Sequence, residues 1–286
     1  MQKKESKGIP VRKASGELEH FDSSKLRRSL QNAGADTSAI EEITANIENW
    51  LHEGVTTKKI YSRAFSLLFR KNRINALYYK LKQALIELGP TGYPFEQFVG
   101  EIYKKQGYTV EVGQILEGHC ITHEMDVIAT NKTTQWLIEC KYAKDQGKIV
   151  SIQVPLYVRS RIDDIIKKRN ERPEFKHLTF SGGIVTNTRF STDSIEYSRC
   201  SGLKLLAWDY PEGNGLKDII GRENIFPISV LTYLTKKEKE FLMDKNIVTC
   251  KQLQENIKIL DELALNKKKT SDLMRELEDI CNDTAL

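Results

Sequence analysis

Asp126 and the triplet Glu139-Cys140-Lys141 are the side chains of this sequence best placed for chemistry on a phosphate. They lie in two apolar runs, Glu124-Met125-Asp126-Val127-Ile128-Ala129 and Trp136-Leu137-Ile138-Glu139-Cys140-Lys141-Tyr142. Residues two apart in a strand share a face, so Glu139 and Lys141 point one way and Cys140 the other, into a core. Strands over 125–130 and 135–142, joined by the turn Asn131-Lys132-Thr133-Thr134, form an expected antiparallel hairpin. The start of its first strand then lies opposite the end of its second, with Asp126 beside Glu139. Two convergent carboxylates and a lysine suit a Mg²⁺ (or Mn²⁺) site, because Mg²⁺ takes oxygen ligands, keeps several waters and needs one or two carboxylates. Such an ion polarises a phosphoryl group and makes hydroxide accessible at neutral pH. Lys141 can orient the attacking water or stabilise charge on the phosphorus oxygens. The competing reading is a partly exposed strand whose Glu139–Lys141 pair is ordinary surface charge.

Other reactive residues point elsewhere. His119 and His123 have the i, i+4 spacing of a zinc helix, but their segment reads as a loop entering a strand. Cys140 is turned away from the carboxylates, and Trp136 and Tyr142 read as packing residues before base-stacking ones.

The elements that must position these residues follow from punctuation and periodicity. Gly89-Pro90-Thr91-Gly92-Tyr93-Pro94 breaks the helical pattern and marks a domain boundary. Before it, extended segments Val11–Lys13 and Leu18–Phe21 flank Ala14-Ser15-Gly16-Glu17, where Gly16 can supply a positive φ. Asp22 or Ser23 caps a first helix, and further helices are predicted over about 38–52, 57–70 and 73–88. After it come a helix with Phe95, Phe98, Val99 and Ile102 stopped by Gly107, and strands over 108–112, 125–130 and 135–142. A helix over 152–169, strand-like segments at 177–180 and 183–186 (or one interrupted strand through both), a helix over 192–201 and a strand at 203–208 complete an α/β core with a mixed sheet. Short helices follow, one capped by Thr235 and one by Thr249. The expected parts are therefore 1–90, 91–215 and 216–286.

Charge divides along the same lines. Residues 1–90 carry 16 Lys and Arg against 10 Asp and Glu, a net of +6 that suits an anionic ligand. Residues 91–215 balance at 16 against 16, so a polyanion there must be met by local patches such as Lys141, Lys144 and Lys148. The five cysteines form no CxxC pair, which argues against a zinc ribbon or a disulfide framework and for a cytoplasmic, reducing setting. No apolar run approaches the ~20 residues of a membrane span. Met1–Lys7 lacks the apolar stretch of a secretory signal.

Asp126, with Glu139-Cys140-Lys141 a strand-turn-strand later, resembles the core of the PD-(D/E)xK nucleases; Met125 stands where the family's name has proline. Phe95-Glu96-Gln97-Phe98-Val99 to Gln106-Gly107-Tyr108, followed by His123-Glu124-Met125-Asp126, more narrowly resembles the Mrr-like restriction endonucleases over about 93–210. The resemblance implies a DNA substrate, Asp126 and Glu139 as metal ligands and Lys141 as the catalytic lysine. It also implies Glu96 as the acidic residue of the first helix, with Glu101 as its competitor, and Gln153 as a polar active-site residue on the next helix. A role in defence against phage or foreign DNA follows from it alone.

Val11-Arg12-Lys13-Ala14-Ser15-Gly16, Glu19-His20-Phe21-Asp22-Ser23-Ser24-Lys25-Leu26 and Ala76-Leu77-Tyr78-Tyr79 resemble the ATP-cone, the allosteric nucleotide-binding module of ribonucleotide reductases, over about 8–88. A lysine on each side of a hairpin-to-helix junction, with free backbone N–H groups, can hold a triphosphate. By this resemblance Lys13 and Lys25 contact the phosphates of ATP or dATP, Glu19 and Asp22 lie near base or ribose, and Thr57, Tyr61 and Lys82 add contacts. Lys13-Ala14-Ser15-Gly16 replaces the Lys-Arg-Asp-Gly frequent in that family. Residues 233–253 resemble helix-hairpin-helix-like tails, with Asn246-Ile247-Val248 in place of Gly-x-Gly. DNA contact and packing or dimerisation both stay open for that tail. Together these features predict a Mg²⁺-dependent endodeoxyribonuclease regulated by ATP or dATP and assembled as a homodimer or homotetramer. The alternative is a nucleotide-responsive DNA-binding regulator or scaffold without catalysis.

Overall fold

Apolar residues three and four apart are buried where the sequence repeats them, and side-chain caps open helices such as those beginning at Ser23, Thr37 and Thr57. In a computed structural model the structure describes residues 9–13, 16–145 and 147–282, apart from the side chain of Ile74. Ala14 and Ser15 of the expected turn, and the Met1–Lys7 segment, lie outside the described residues. The chain divides into two units, Met1–Leu81 and Lys82–Leu286. The boundaries expected at 90 and 215 both fall inside the second.

The first unit opens on strands β1 (Pro10–Arg12) and β2 (Leu18–His20), paired antiparallel with Val11 opposite Glu19. Helices α1 (Ser23–Asn32), α2 (Thr37–Trp50), α3 (Thr57–Lys71) and α4 (Arg73–Ile86) follow, the division between units falling within α4. Asp22 accepts the Ser24 amide at 2.9 Å and Asp36 the Ala39 amide at 2.7 Å, satisfying N–H groups that a helix start leaves free. Leu30, Ile43, Ile47, Ala64 and Leu68 fill the core. The Arg12 amide donates to the Val55 carbonyl at 2.9 Å, tying the hairpin to the residues that lead into α3.

The second unit is built on α5 (Tyr93–Lys105), β3 (Thr109–Glu117), β4 (Thr122–Thr130), β5 (Thr134–Lys141), β6 (Ile149–Val150), α6 (Gln153–Asn170), β7 (Thr179–Thr186), β8 (Arg189–Phe190), α7 (Thr192–Ser201) and β9 (Lys204–Leu206). The main sheet runs β3-β4-β5-β7-β9, antiparallel among its first three strands and parallel among its last three. It is the expected mixed α/β sheet. The segments at 177–180 and 183–186 prove to be parts of one strand paired along its length with β5. β5 sorts its side chains by alternation: Leu137 joins Val158, Ile162 and Ile165 of α6 in one cluster, while Trp136 meets Tyr103 of α5 at 6.2 Å between ring centroids. The two helices therefore cover opposite faces. Gly100 lets α5 approach the sheet closely, since a Cβ there would lie 3.1 Å from Val110 and 3.2 Å from Val112.

β3 and β4 are longer than expected. Gly113, at φ 65°, breaks the pleat between Val112 and Gln114, and pairing resumes beyond it to Glu117 and Thr122. A helical tail completes the unit: α8 (Leu216–Glu223), α9 (Lys236–Asp244), α10 (Cys250–Glu255) and α11 (Lys267–Asn282). Thr235 and Thr249 cap α9 and α10 as expected. Among the described residues, no helix is long and apolar enough to cross a membrane.

Candidate active site

The last β4–β5 pair is Val127 with Ile138, so the same register sets Asp126 opposite Glu139. There the ladder stops. The Cys140 amide, without a β4 backbone partner at this point, donates to Asp126 Oδ2 at 2.6 Å. The aspartate is thus held by the backbone between Glu139 and Lys141. Glu139 is buried, and its two oxygens are both engaged. Lys141 Nζ lies 2.5 Å from Oε1, Tyr157 Oη donates to Oε1 at 3.3 Å, and Arg161 Nη1 donates to Oε2 at 2.7 Å. The other guanidinium nitrogen of Arg161 donates to the Glu124 carbonyl.

Electrostatics show how tightly these groups share one space. Burial first, then the carboxylates of Asp126, Glu124 and Glu139, push the Glu96 carboxyl up to about 7. Burial and Glu139 push Asp126 up to about 6, with the Cys140 amide pulling the other way. Burial would lower the Lys141 ammonium, but the hydrogen bonds with Glu139 and Tyr157 outweigh it and hold the group above its usual range. Asp126, Glu139 and Lys141 therefore meet where the β4–β5 ladder ends, and Glu96 lies within electrostatic reach of all three. Gln153 is exposed at the start of α6 and accepts from Ser151 at 3.4 Å; no contact brings it to the carboxylates among the described residues. Glu101 pairs with Lys104 at 2.6 Å. The thiol of Cys140 is buried and pushed well up by that burial, which removes it as a nucleophile.

Sequence reasoning missed Tyr157 and Arg161. Both stand one residue before members of the buried α6 stripe, Val158 and Ile162, and so occupy its border one turn apart. That border position was the available signal. Behind the site, Thr186 Oγ1 donates to the Lys141 carbonyl at 2.6 Å, and Asn187 both accepts from the Ala143 amide and donates to the Ala143 carbonyl at 2.8 Å. These bonds continue the β5–β7 pairing with side chains and fix the strand end that carries Lys141.

Asp126 and Glu139 offer the hard oxygen donors a Mg²⁺ or Mn²⁺ ion needs, and partners of Glu139 already include two cations, so the donor set fits such an ion. Among the described residues, no group of three or more His, Cys, Asp and Glu side chains is gathered to hold a metal ion. The histidines take no such part: His123 Nε2 lies 2.8 Å from Asp164 and His119 Nδ1 2.8 Å from Glu171.

In the first unit Lys13 and Lys25 converge on one carboxylate. Lys13 lies 2.6 Å from Glu19, and Lys25 also pairs with it. Hydrogen bonds from the two lysines pull Glu19 down to about 2. Asp22 is the cap of α1. Thr57 is the exposed first residue of α3, and Tyr61 stacks on Tyr79 at 4.9 Å. Lys82 belongs to the second unit, where its ammonium sits 5.8 Å from the Trp208 ring and is lowered by burial. In the tail, Asn246 adopts φ 59° between α9 and α10. The amides of Val248 and Thr249 donate to Gln252 at 2.9 and 3.0 Å, so the turn spends these donors on itself.

Comparison with known proteins gives few relatives. A family described as AF1548-like, C-terminal matches residues 226–281. An uncharacterized protein of Archaeoglobus fulgidus is 25% identical over 183 residues, 64% of this chain and 99% of its own length. The crystal structure of a protein of unknown function, AF1548, is similar at a TM-score of 0.55 and 25% identity, covering 67% of this chain and 99% of that one. The MspJI restriction endonuclease in complex with a 27-mer oligonucleotide is weakly similar, at a TM-score of 0.35 and 15% identity over 60% of this chain and 36% of that one.

Proposed function

We infer that the second unit is a divalent-cation-dependent nuclease that hydrolyses DNA phosphodiester bonds, and that the first unit binds ATP or dATP as an effector. The observation that carries the nuclease reading is the convergence of Asp126, Glu139 and Lys141 where the β4–β5 ladder ends, with Glu96 close by. Asp126 and Glu139 would hold the cation, which supplies Lewis acidity toward the phosphoryl group when bound. Lys141, an ammonium fixed beside Glu139, places positive charge where phosphorus oxygens gain electron density. The Cys140 amide keeps Asp126 oriented, and Thr186 and Asn187 keep the end of β5 in register.

A supercoiled-plasmid assay with Mg²⁺ or Mn²⁺ tests this. Wild type nicks or linearises the plasmid, and Asp126→Ala loses activity by about 100-fold or more while keeping its thermal melt. Cleavage by the alanine variant at the wild-type rate would remove the site assignment.

The nucleotide reading rests on two lysines meeting at a hairpin-to-helix junction, with Glu19 as their internal partner. Glu19 competes with a triphosphate for both lysines. Calorimetry on the full chain should show heat with ATP or dATP, weakened about tenfold by Lys13→Ala. No heat with either nucleotide would make this unit a structural one.

A further inference from the structure

Oε1 of Glu139 already takes two donors and Oε2 one, so a divalent cation has to share the carboxylate with its resident cations or displace one of them. Lys141 is held beside Oε1 by its place on the same strand. Arg161 comes from a different element: it reaches from α6 to Oε2 at 2.7 Å and, through its second nitrogen, to the Glu124 carbonyl. Its side chain is 24% exposed, against 5% for that of Glu139, so Arg161 borders solvent where the carboxylate scarcely does. The guanidinium also spans β4 and β5 beyond their last pair, next to Asp126. Four carboxylates (Glu96, Glu124, Asp126, Glu139) influence one another here, opposed by the two cations Lys141 and Arg161. A doubly charged ion is the species that would match such a set.

We propose that Arg161 is a resident counter-cation that competes with the divalent cation for Glu139 and so sets the cation concentration at which the site loads. The proposal rests on the nuclease reading and adds a positioning residue to it. The rival is a purely structural arginine that clamps β4 to β5. The two roles give opposite signs. Removing a competitor tightens cation binding, whereas removing a clamp loosens Asp126 from Glu139 and weakens it.

Calorimetric titration of the full chain with Mn²⁺ alone reads the sign without relying on cleavage. Arg161→Gln is expected to bind Mn²⁺ about tenfold more tightly than wild type, and Glu139→Gln to abolish binding. Arg161→Met keeps an unbranched apolar stem at this position of α6 and carries the test if the glutamine variant fails to melt cooperatively. Equal or weaker binding by the arginine variants, with binding still lost in Glu139→Gln, overturns the competition and leaves the nuclease reading standing. No Mn²⁺ binding by wild type or by either arginine variant overturns both.

Discussion

Asp164 holds three groups of the β3–β4 hairpin at once. It lies 2.8 Å from His123 Nε2 and accepts the Cys120 amide at 2.9 Å and, more weakly, the Ile121 amide at 3.4 Å. The His123 hydrogen bond, followed by the amides and the Cys120 thiol, pulls its carboxyl well below the usual carboxylate range. A carboxylate whose folded-state pKa is depressed stabilises the fold above its unfolded pKa of about 4 and loses that contribution as the pH falls through the folded value. Asp164→Asn should therefore melt below wild type at neutral pH, with the gap closing as the medium becomes strongly acidic. Thermal melts of both proteins across that range check it. The His119/His123 pair illustrates what spacing alone leaves open. Two histidines four apart invite a metal, yet each has a carboxylate partner on or just after α6, far away in sequence. Asp126 was the opposite case, because strand alternation and a short turn together fix which residues face each other.

The end of β5 shows an element finished by side chains. The β5–β7 pairing ends at Lys141 and Thr186, and Asn187 supplies both a donor and an acceptor to the Ala143 backbone from a position 1% exposed. Asn187→Ala strands two buried backbone groups, and the expected loss is about 2 kcal/mol in a denaturant melt. At this scale most of the architecture was legible: helices α1 to α3, α5 and α6 announce themselves by apolar residues on one face, and α1 also by its Asp22 cap. Three features were hidden for physical reasons. β3 runs past its glycine because pairing with β4 recovers beyond Gly113, a tertiary effect outweighing a local break. α11 lies in a lysine-rich and acidic stretch, and its buried stripe of Leu273, Glu276, Leu277 and Ile280 includes a charged residue, which blurs the apolar period. Arg161 was missed because periodicity gives the buried side of α6 but not the strand beneath each border residue.

For the whole chain, the tail from 216 onward is not an appendage. Ser229 Oγ donates to the Ala84 carbonyl at 2.7 Å, and Lys239, itself buried, donates to the Ser229 carbonyl at 2.9 Å. Glu276 of α11, 3% exposed, accepts from the Thr232 amide at 2.8 Å and its hydroxyl at 2.7 Å. Ending the chain after Gly215 would leave the Ala84 carbonyl, in a segment where Ala84, Leu85 and Leu88 are fully buried, without its hydroxyl donor. Such a fragment should lack a cooperative thermal transition by circular dichroism; a melt like that of the full chain would show the tail to be detachable. The outer strand of the main sheet has its own bearing on how copies behave together. β3 is nine residues long, lies at one rim of the sheet and displays Ile115 at 76% exposure, the kind of open border that invites a second molecule to add a strand. Gly113 holds φ 65° near the middle of that border and is the one residue of β3 skipped in the pairing with β4, so an incoming strand would meet the same interruption there.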